Sequence, residues 1–291
     1  MLPAISIKNV KKSFGSKQVL KNLNLEVNKG TIFGFLGPNG AGKTTTIRCL
    51  MDFIRPDAGS ITIFGNKANT NSSNLKKIIG YLPAENQLIN NWNGKEHLKF
   101  YNSIKKGKIK YKIFEELEIN PNIPVKELSS GNRQKLGFIL SLVGMPELLI
   151  LDEPTRGLDP ILQNKVYKIL QDFVIEGKTV FISSHNLDEV ERICSDVGII
   201  RDGHIVADMN MSSIKAIKTH IIDATFYNKV PDIPKIPGLT ILAKNDNKLS
   251  LKVQGNINGI IQILAKYDLS NLEINHATLE EIFMDYYKIK S

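Results

Sequence analysis

Cysteine is nearly absent: Cys49 and Cys194 are the only two in 291 residues, too few for a disulfide framework. Both fall in stretches with helical patterning, where a thiol serves as buried apolar filler. No run is long and apolar enough to cross a bilayer. The most apolar window, Leu136 to Leu151, is broken by Gly144, Pro146 and Glu147. It falls short of the roughly 18 uninterrupted residues that a span needs, and reads as a helix followed by a buried strand. The first residues, Met1-Leu2-Pro3-Ala4-Ile5, lack the basic start and apolar stretch of a secretion signal. These absences predict a cytoplasmic chain whose attachment to a membrane falls to a partner. Internal repeats and low-complexity tracts are missing too.

What is present begins with length and charge. A chain of 291 residues exceeds one average domain and suits a large α/β core with a smaller appendage. Net charge is +9, from 38 Lys and Arg against 29 Asp and Glu, with much of the excess in Lys95, Lys99, Lys105, Lys106, Lys108, Lys110 and Lys112. Such a run can serve an anionic lipid surface or a nucleic acid, or can be a solvated helical face. Only Phe100, Tyr101 and Tyr111 accompany it and no nucleic-acid motif is near, so the solvated face is preferred and no nucleic-acid partner is expected.

The most informative segment is Gly37-Pro38-Asn39-Gly40-Ala41-Gly42-Lys43-Thr44-Thr45, which follows the apolar run Ile32 to Leu36 and opens a helix. Its glycines remove the β-carbons that would keep the backbone from folding around an anion, so successive N–H groups can point at phosphate oxygens. The helix N-terminus adds partial positive charge at the same place. Lys43 is then placed for the outer phosphates, and the Thr44 hydroxyl for Mg²⁺. The pattern names a nucleotide without naming a job.

A second segment, Leu128-Ser129-Ser130-Gly131-Asn132-Arg133-Gln134-Lys135, is followed at short range by Leu148-Leu149-Ile150-Leu151-Asp152-Glu153-Pro154. At these residues the chain resembles the ATP-binding-cassette (ABC) ATPases, whose signature Leu-Ser-Gly-Gly-Gln sits just upstream of an Asp-Glu pair. Ser130 and Asn132 depart from that form. Arg156-Gly157-Leu158-Asp159 looks like the family's D-loop and His185 like its switch histidine, all in family order. The resemblance covers about the first 210 residues and implies an α/β P-loop core: a mixed sheet with helices, an antiparallel β-subdomain and a helical subdomain over about 85–145. Residues 211–291 read as a small C-terminal α/β domain.

The resemblance also assigns roles. Asp152 would hold Mg²⁺ and Glu153 would polarise the attacking water, while His185 would donate to a γ-phosphate oxygen. Phe14, 29 residues before Lys43 and flanked by turn residues, would stack on adenine; core packing is its plainer alternative. Ser129 and Gly131 would close over ATP held by a second subunit, and Asp159 is counted with them among the nucleotide-binding residues; Ser129 is equally an ordinary helix cap. At Gly80-Tyr81-Leu82-Pro83-Ala84-Glu85-Asn86-Gln87 the family usually places Gln directly after the proline-like position. Ala84 offers no amide, which leaves Glu85 or Gln87 to reach Mg²⁺, and Glu85 is taken as the third metal-site residue. Trp92 either lines a groove for a short helix of a transmembrane subunit or anchors its own subdomain.

Coarse patterning places strands at Ala4 to Val10, Val19 to Val27, Thr31 to Leu36, Ser60 to Phe64, Lys77 to Leu82, Leu148 to Leu151, Thr179 to Ile182 and Val197 to Ile200. Helices are expected at Lys43 to Phe53, within 93–144, and near Leu162 to Ile175 and Leu187 to Cys194. The C-terminal segment reads as strands at Ile221 to Tyr227, Thr240 to Ala243 and Leu249 to Val253, with helices near Ile257 to Lys266 and Leu279 to Tyr287.

The function the resemblance implies is an ATP-hydrolysing subunit, with ATP and Mg²⁺, that dimerises with a second nucleotide-binding subunit. It would drive a transmembrane permease at the inner face of the membrane, exporting a drug, peptide antibiotic, lipid or similar molecule. A soluble cassette ATPase acting on nucleic acid or ribosomes is the alternative, though the long coiled-coil insertion or second cassette of such relatives is lacking. A binding regulator without turnover would need Lys43 or Glu153 to be missing, and both are there.

Overall fold

A computed structural model describes residues 2–70, 72–105, 112–216, 219–234 and 236–276. Along the first part of the chain run β1 (Ile5–Phe14), β2 (Lys17–Val27), β3 (Ile32–Leu36), α1 (Lys43–Leu50), β4 (Ala58–Ile63), β5 (Asn66–Lys67), α2 (Ser72–Ile78), β6 (Ile79–Leu82), α3 (Gly94–Ile104), α4 (Lys112–Glu116) and α5 (Ser130–Ser141). There follow β7 (Leu148–Asp152), α6 (Pro160–Ile175), β8 (Thr179–Ser184), α7 (Leu187–Ile193), β9 (Asp196–Arg201) and β10 (His204–Asn210). Contacts divide the chain into two compact units, Met1–Asn210 and Met211–Ser291.

In the first unit, β3, β7 and β8 are buried along their whole length, as their continuous apolar runs require for strands covered on both faces. They form the centre of a six-stranded sheet ordered β10-β9-β3-β8-β7-β6, parallel except for β10. Register decides where their ends fall: Leu36 lies opposite Ser184, and Asp152 opposite Ser183. The loops after β3, β7 and β8 therefore open side by side at one sheet edge, where ligands bind in open parallel sheets. Phe181 stacks on Phe33 at 5.8 Å and tilts against Phe35 at 5.3 Å.

A second, antiparallel sheet, β2-β1-β4-β5, alternates buried and exposed residues, and its inward Ile5, Ile7, Leu20 and Leu23 share one core with Phe33, Phe35 and Phe181. Each such side chain taken fully from water contributes about 1.5–3 kcal/mol. Local signals start the helices. Asn93 and Glu96 close a reciprocal capping box on α3, and Asp159 caps α6, which carries Pro160 in its first turn.

Several sequence expectations shift. The run Lys77 to Leu82 is divided between α2 and β6: Lys76 and Lys77 complete the last turn of α2, where cations suit the helix dipole. Strand β10 went unread because, of its seven residues, only Ala207 is buried, and so it carries no strong apolar run. Lys105 is not a solvated member of the lysine run. Its ammonium donates to the carbonyls of Lys76 (3.1 Å) and Ile79 (2.6 Å) at the end of α2, and burial lowers its pKa. Lys95, Lys99 and Lys112 are exposed as expected, while Lys106, Lys108 and Lys110 lie outside the described residues. Cys49 is buried in α1, and Cys194 is buried one residue beyond α7 rather than inside it.

The second unit contains α8 (Met211–Ala216), β11 (Thr219–Phe226), β12 (Leu239–Lys244), β13 (Lys248–Gln254), α9 (Asn258–Leu264) and β14 (Leu269–His276). Its antiparallel sheet, β12-β13-β11-β14, packs Ile222, Phe226, Leu249 and Leu251 against Ile260 and Leu264 of α9. The edge strand β14 is mostly exposed and polar, which hid it from an apolar pattern. The helix expected near Leu279 to Tyr287 lies outside the described residues. Among those described, no helix is long and apolar enough to cross a membrane.

Candidate active site

The loop between β3 and α1 curls because two of its residues can be nothing but glycine. A Cβ on Gly37 would fall 2.4 Å from the Ile200 carbonyl oxygen, and Gly42, at φ 115°, caps α1 in the left-handed region with Leu20 2.8 Å from the Cβ position. The α1 N-terminus is thereby drawn up to the open end of β3. A cleft of about 540 Å³ lies over it, lined by Pro38, Asn39, Gly40 and Gly42 to Thr45 of the loop, and by Asp152, Glu153 and His185 from the neighbouring strand ends. Ala41 is tucked beneath, 4% exposed.

Lys43 is 7% exposed, and its ammonium donates to the carbonyls of Gly37 (2.5 Å) and Pro38 (3.3 Å). Glu153 Oε1 lies 4.0 Å away. Burial lowers the lysine pKa, while the carboxylates of Glu153 and Asp152 pull it back up. Thr44 Oγ1 donates to Asp152 Oδ2 at 3.0 Å, and Ser183 donates to the other oxygen of Asp152. Glu153 stands just past β7 at φ 56°, with Oε2 2.7 Å from His185 Nδ1. Its N–H donates to the Ser183 carbonyl at 3.1 Å.

Behind this face, Glu189 of α7 is 2% exposed and accepts from Thr155 (2.7 Å) and Ser184 (2.6 Å). Burial raises its pKa against those two hydrogen bonds. Through it, the loop carrying Arg156 to Asp159 is tied to the residue before His185. An acidic residue on an amphipathic helix gave no sequence cue to that task.

Other predicted residues lie elsewhere. Glu85 does not join Thr44 and Asp152: in the bend after β6, Ala84 lines the cleft, whereas Glu85 lines only a second groove of about 510 Å³ with Ala84, Asn86, Ser130, Arg133 and Arg156. Gln87 is exposed. Ser129 and Gly131 do not reach the cleft either. Ser129 Oγ caps α5 by accepting from the Asn132 N–H at 3.2 Å, and a Cβ on Gly131 would come 2.9 Å from the Gly157 carbonyl oxygen. Asp159 Oδ1 accepts from the N–H groups of Ile161 and Leu162, both at 3.0 Å.

Phe14 ends β1 half exposed, 5.6 Å below the Lys12 ammonium, and is not a cleft wall. Asp57 fixes that strand end by accepting from Lys12 Nζ (2.8 Å) and the Ser13 N–H (2.7 Å). The partner strand of the same hairpin does reach the cleft, through Lys17 and Val19. Those two residues were missed from sequence because their lining role depends on sheet register rather than on a motif, while Arg156, read only as part of the Arg156-Gly157-Leu158-Asp159 loop, also lines the cleft.

The donor set suits a triphosphate with a hard cation. Among the described residues, no three His, Cys, Asp or Glu side chains group as a metal site. Thr44 and Asp152 offer paired oxygens beside the phosphate loop, which fits Mg²⁺, an ion commonly held by one or two protein oxygens and completed by substrate phosphates.

Comparison with known proteins agrees with this geometry. The ABC transporter family pattern matches residues 20–156. Nod factor export ATP-binding protein I of Rhizobium sp. (strain N33) is 36% identical over 226 residues, covering 75% of this chain and 74% of that protein. An ABC transporter ATP-binding protein of Methanocaldococcus jannaschii, MJ1023, is 33% identical over 295 residues, 98% of this chain and 100% of that one. In fold, the chain is similar to the ATP-binding subunit of an ABC transporter (TM-score 0.68, 23% identity, covering 73% and 92% of the two chains). It is also similar to the dimeric cassette MJ0796 (TM-score 0.65, 24%, 71% and 98%). Likeness that runs from one end of a relative to the other reaches far beyond a shared phosphate loop, and this chain belongs to the ABC transporter ATP-binding proteins, a family of ATPases coupled to transport.

Proposed function

We propose that this chain is the ATP-hydrolysing subunit of an exporter whose membrane pathway is built by separate subunits. The observation that carries the reading is the Glu153–His185 pair, 2.7 Å apart, at the open strand ends beside Lys43, Thr44 and Asp152. The loop N–H groups and Lys43 bind the phosphates, Thr44 and Asp152 hold Mg²⁺, and Glu153 accepts a proton from water as it attacks. When bound, Mg²⁺ neutralises charge developing on the phosphate oxygens. His185, its ring oriented by the 2.7 Å contact between Nδ1 and Glu153 Oε2, donates to a γ-phosphate oxygen. Glu85 is left out of the ion's donor set.

Two copies complete each other's sites. Ser129 and Gly131 lie at an exposed helix tip away from their own cleft, which suits contact with ATP held by a second subunit. Asp159 lines the same seam. Export rather than uptake is supported by the names of the Nod factor export relatives, and a drug, peptide antibiotic or lipid is the class of cargo expected.

The permease contact falls on the helical region. Trp92 packs edge-on against His97 (5.4 Å) and Phe100 (5.6 Å), while Ile89, Phe100 and Ile104 remain 48%, 46% and 62% exposed. Phe100 and Ile104 share one helix face, an apolar surface fit for a short helix of a membrane subunit.

Co-expression with a multi-helix membrane protein encoded beside this chain tests the reading. The two are expected to purify together in detergent, with ATP turnover that rises when the cargo is added. A neighbour that is a nuclease or ribosomal factor, with no co-purifying membrane protein, counts against export. Phe14→Ala addresses the nucleotide end: Phe14 stands outside the phosphate cleft, where an adenine extending beyond it would meet the ring, and losing that contact, worth about 0.5–1.5 kcal/mol, weakens ATP binding by about 2- to 12-fold in a titration with a fluorescent analogue. Unchanged affinity returns Phe14 to a structural role.

A further inference from the structure

Glu153 is held in a conformation that a non-glycine residue rarely adopts, and the bonds that keep it there come from two different elements. On one side its N–H donates to Ser183 of β8. On the other its carbonyl accepts from Gln134 Nε2 at 2.9 Å, and the same nitrogen lies 3.3 Å from the Pro154 carbonyl. Gln134 belongs to α5, the helix whose first turn carries Ser130 and Gly131, and its side chain is 7% exposed.

The far end of that amide is also committed. Asn86 Nδ2 donates to Gln134 Oε1 at 2.9 Å and lies 3.4 Å from the Arg133 carbonyl. Asn86 is pressed over Gly137, where a Cβ would meet its Oδ1 at 2.4 Å. Asn86 comes from the segment after β6 whose Ala84 lines the phosphate cleft. A continuous path of side-chain amides thus runs from that segment, across the signature helix, to the peptide that aims the Glu153 carboxylate. Donor and acceptor ends are both spoken for, so the amide cannot flip without unpairing buried groups.

We propose that Gln134 is a positioning residue for hydrolysis: its amide, aimed by Asn86, holds the Glu153 peptide so that the carboxylate meets the attacking water, and turnover thereby depends on the pose of α5. The inference rests on the reading of Glu153 as the residue that polarises water. Any tilt of α5 withdraws the donor from the Glu153 carbonyl and lets the strained backbone relax, switching the carboxylate out of line without touching bound nucleotide. Lys43, Thr44 and the loop N–H groups keep their hold on ATP throughout.

Steady-state kinetics of the full chain test this with two variants. Gln134→Glu places a carboxylate against two carbonyl oxygens, and Gln134→Met keeps the volume without a donor and without a new charge. In both, kcat is expected to fall by about tenfold or more with KM for ATP within about twofold, the signature of an interaction made only in the transition state. Asn86→Ala is expected to lower kcat less, and Asn86→Ala with Gln134→Met to be no worse than Gln134→Met alone, because the two act through one path. Gln134→Met with the parent kcat, a rise in KM matching the fall in kcat, or additive losses overturns the proposal. Glu153→Gln separates the layers. If that variant is inactive while Gln134→Met is normal, only the Gln134 role fails; if it still turns over, the reading of Glu153 fails first.

Discussion

Glu153→Gln is expected to lower ATP turnover by about 10²- to 10⁴-fold, the usual share of a positioned general base, while leaving ATP binding intact. The amide matches the carboxylate in shape, so the approach to His185 Nδ1, 2.7 Å in the parent, and the backbone bonds to Ser183 and Gln134 keep their partners. Only the capacity to take a proton is gone. ATP then arrives and stays, and copies joined around it are not released, so gel filtration with ATP and Mg²⁺ is expected to show a dimer peak that the parent chain shows only fleetingly. Parent-like hydrolysis by the variant would remove Glu153 from its role. A variant that neither binds ATP nor dimerises would point to damage at Lys43, whose ammonium sits 4.0 Å from the same carboxylate.

Ser129→Arg is expected to abolish hydrolysis with no loss of ATP affinity in the monomer. Ser129 is exposed at the α5 tip, away from its own phosphate cleft, so a bulky cation there leaves the intrachain site untouched and obstructs only what approaches from outside. The substitution also removes the cap on the Asn132 N–H, which costs about 1 kcal/mol of stability. Ser129→Ala supplies the control, since it loses the same cap without the bulk. Turnover by Ser129→Arg equal to that of Ser129→Ala would argue against a site shared between copies.

Where the loop and its cleft would lie was legible beforehand for a physical reason: the curl of one short loop depends on backbone geometry, and glycine spacing writes that geometry directly into the sequence. Asp152 and Glu153 were legible because an apolar strand must end somewhere, and its end is where buried backbone meets polar chemistry. What could not be read depends on contacts between distant segments. Whether Glu85 reaches the cleft is decided by the bend at Ala84 and Glu85 after β6, which sends Glu85 to the neighbouring groove. The Glu189 tie to Thr155 and Ser184 spans 34 residues on one side and five on the other, and only the folded chain brings them together. Lys105, likewise, looks like solvent charge until α2 ends beside it.

Ser129, the cap that precedes α5, is held in place within its own chain. Its oxygen accepts from the Asn132 N–H at 3.2 Å, which orients the side chain and leaves the hydroxyl hydrogen and a second lone pair for a group approaching from outside. The side chain has in effect chosen its rotamer before any encounter, and a contact formed through it skips the freezing step, about 0.5–1.5 kcal/mol for a side chain rich in rotamers and less for one this short. A contact between copies made through this hydroxyl would therefore cost less ordering each time the pair came together.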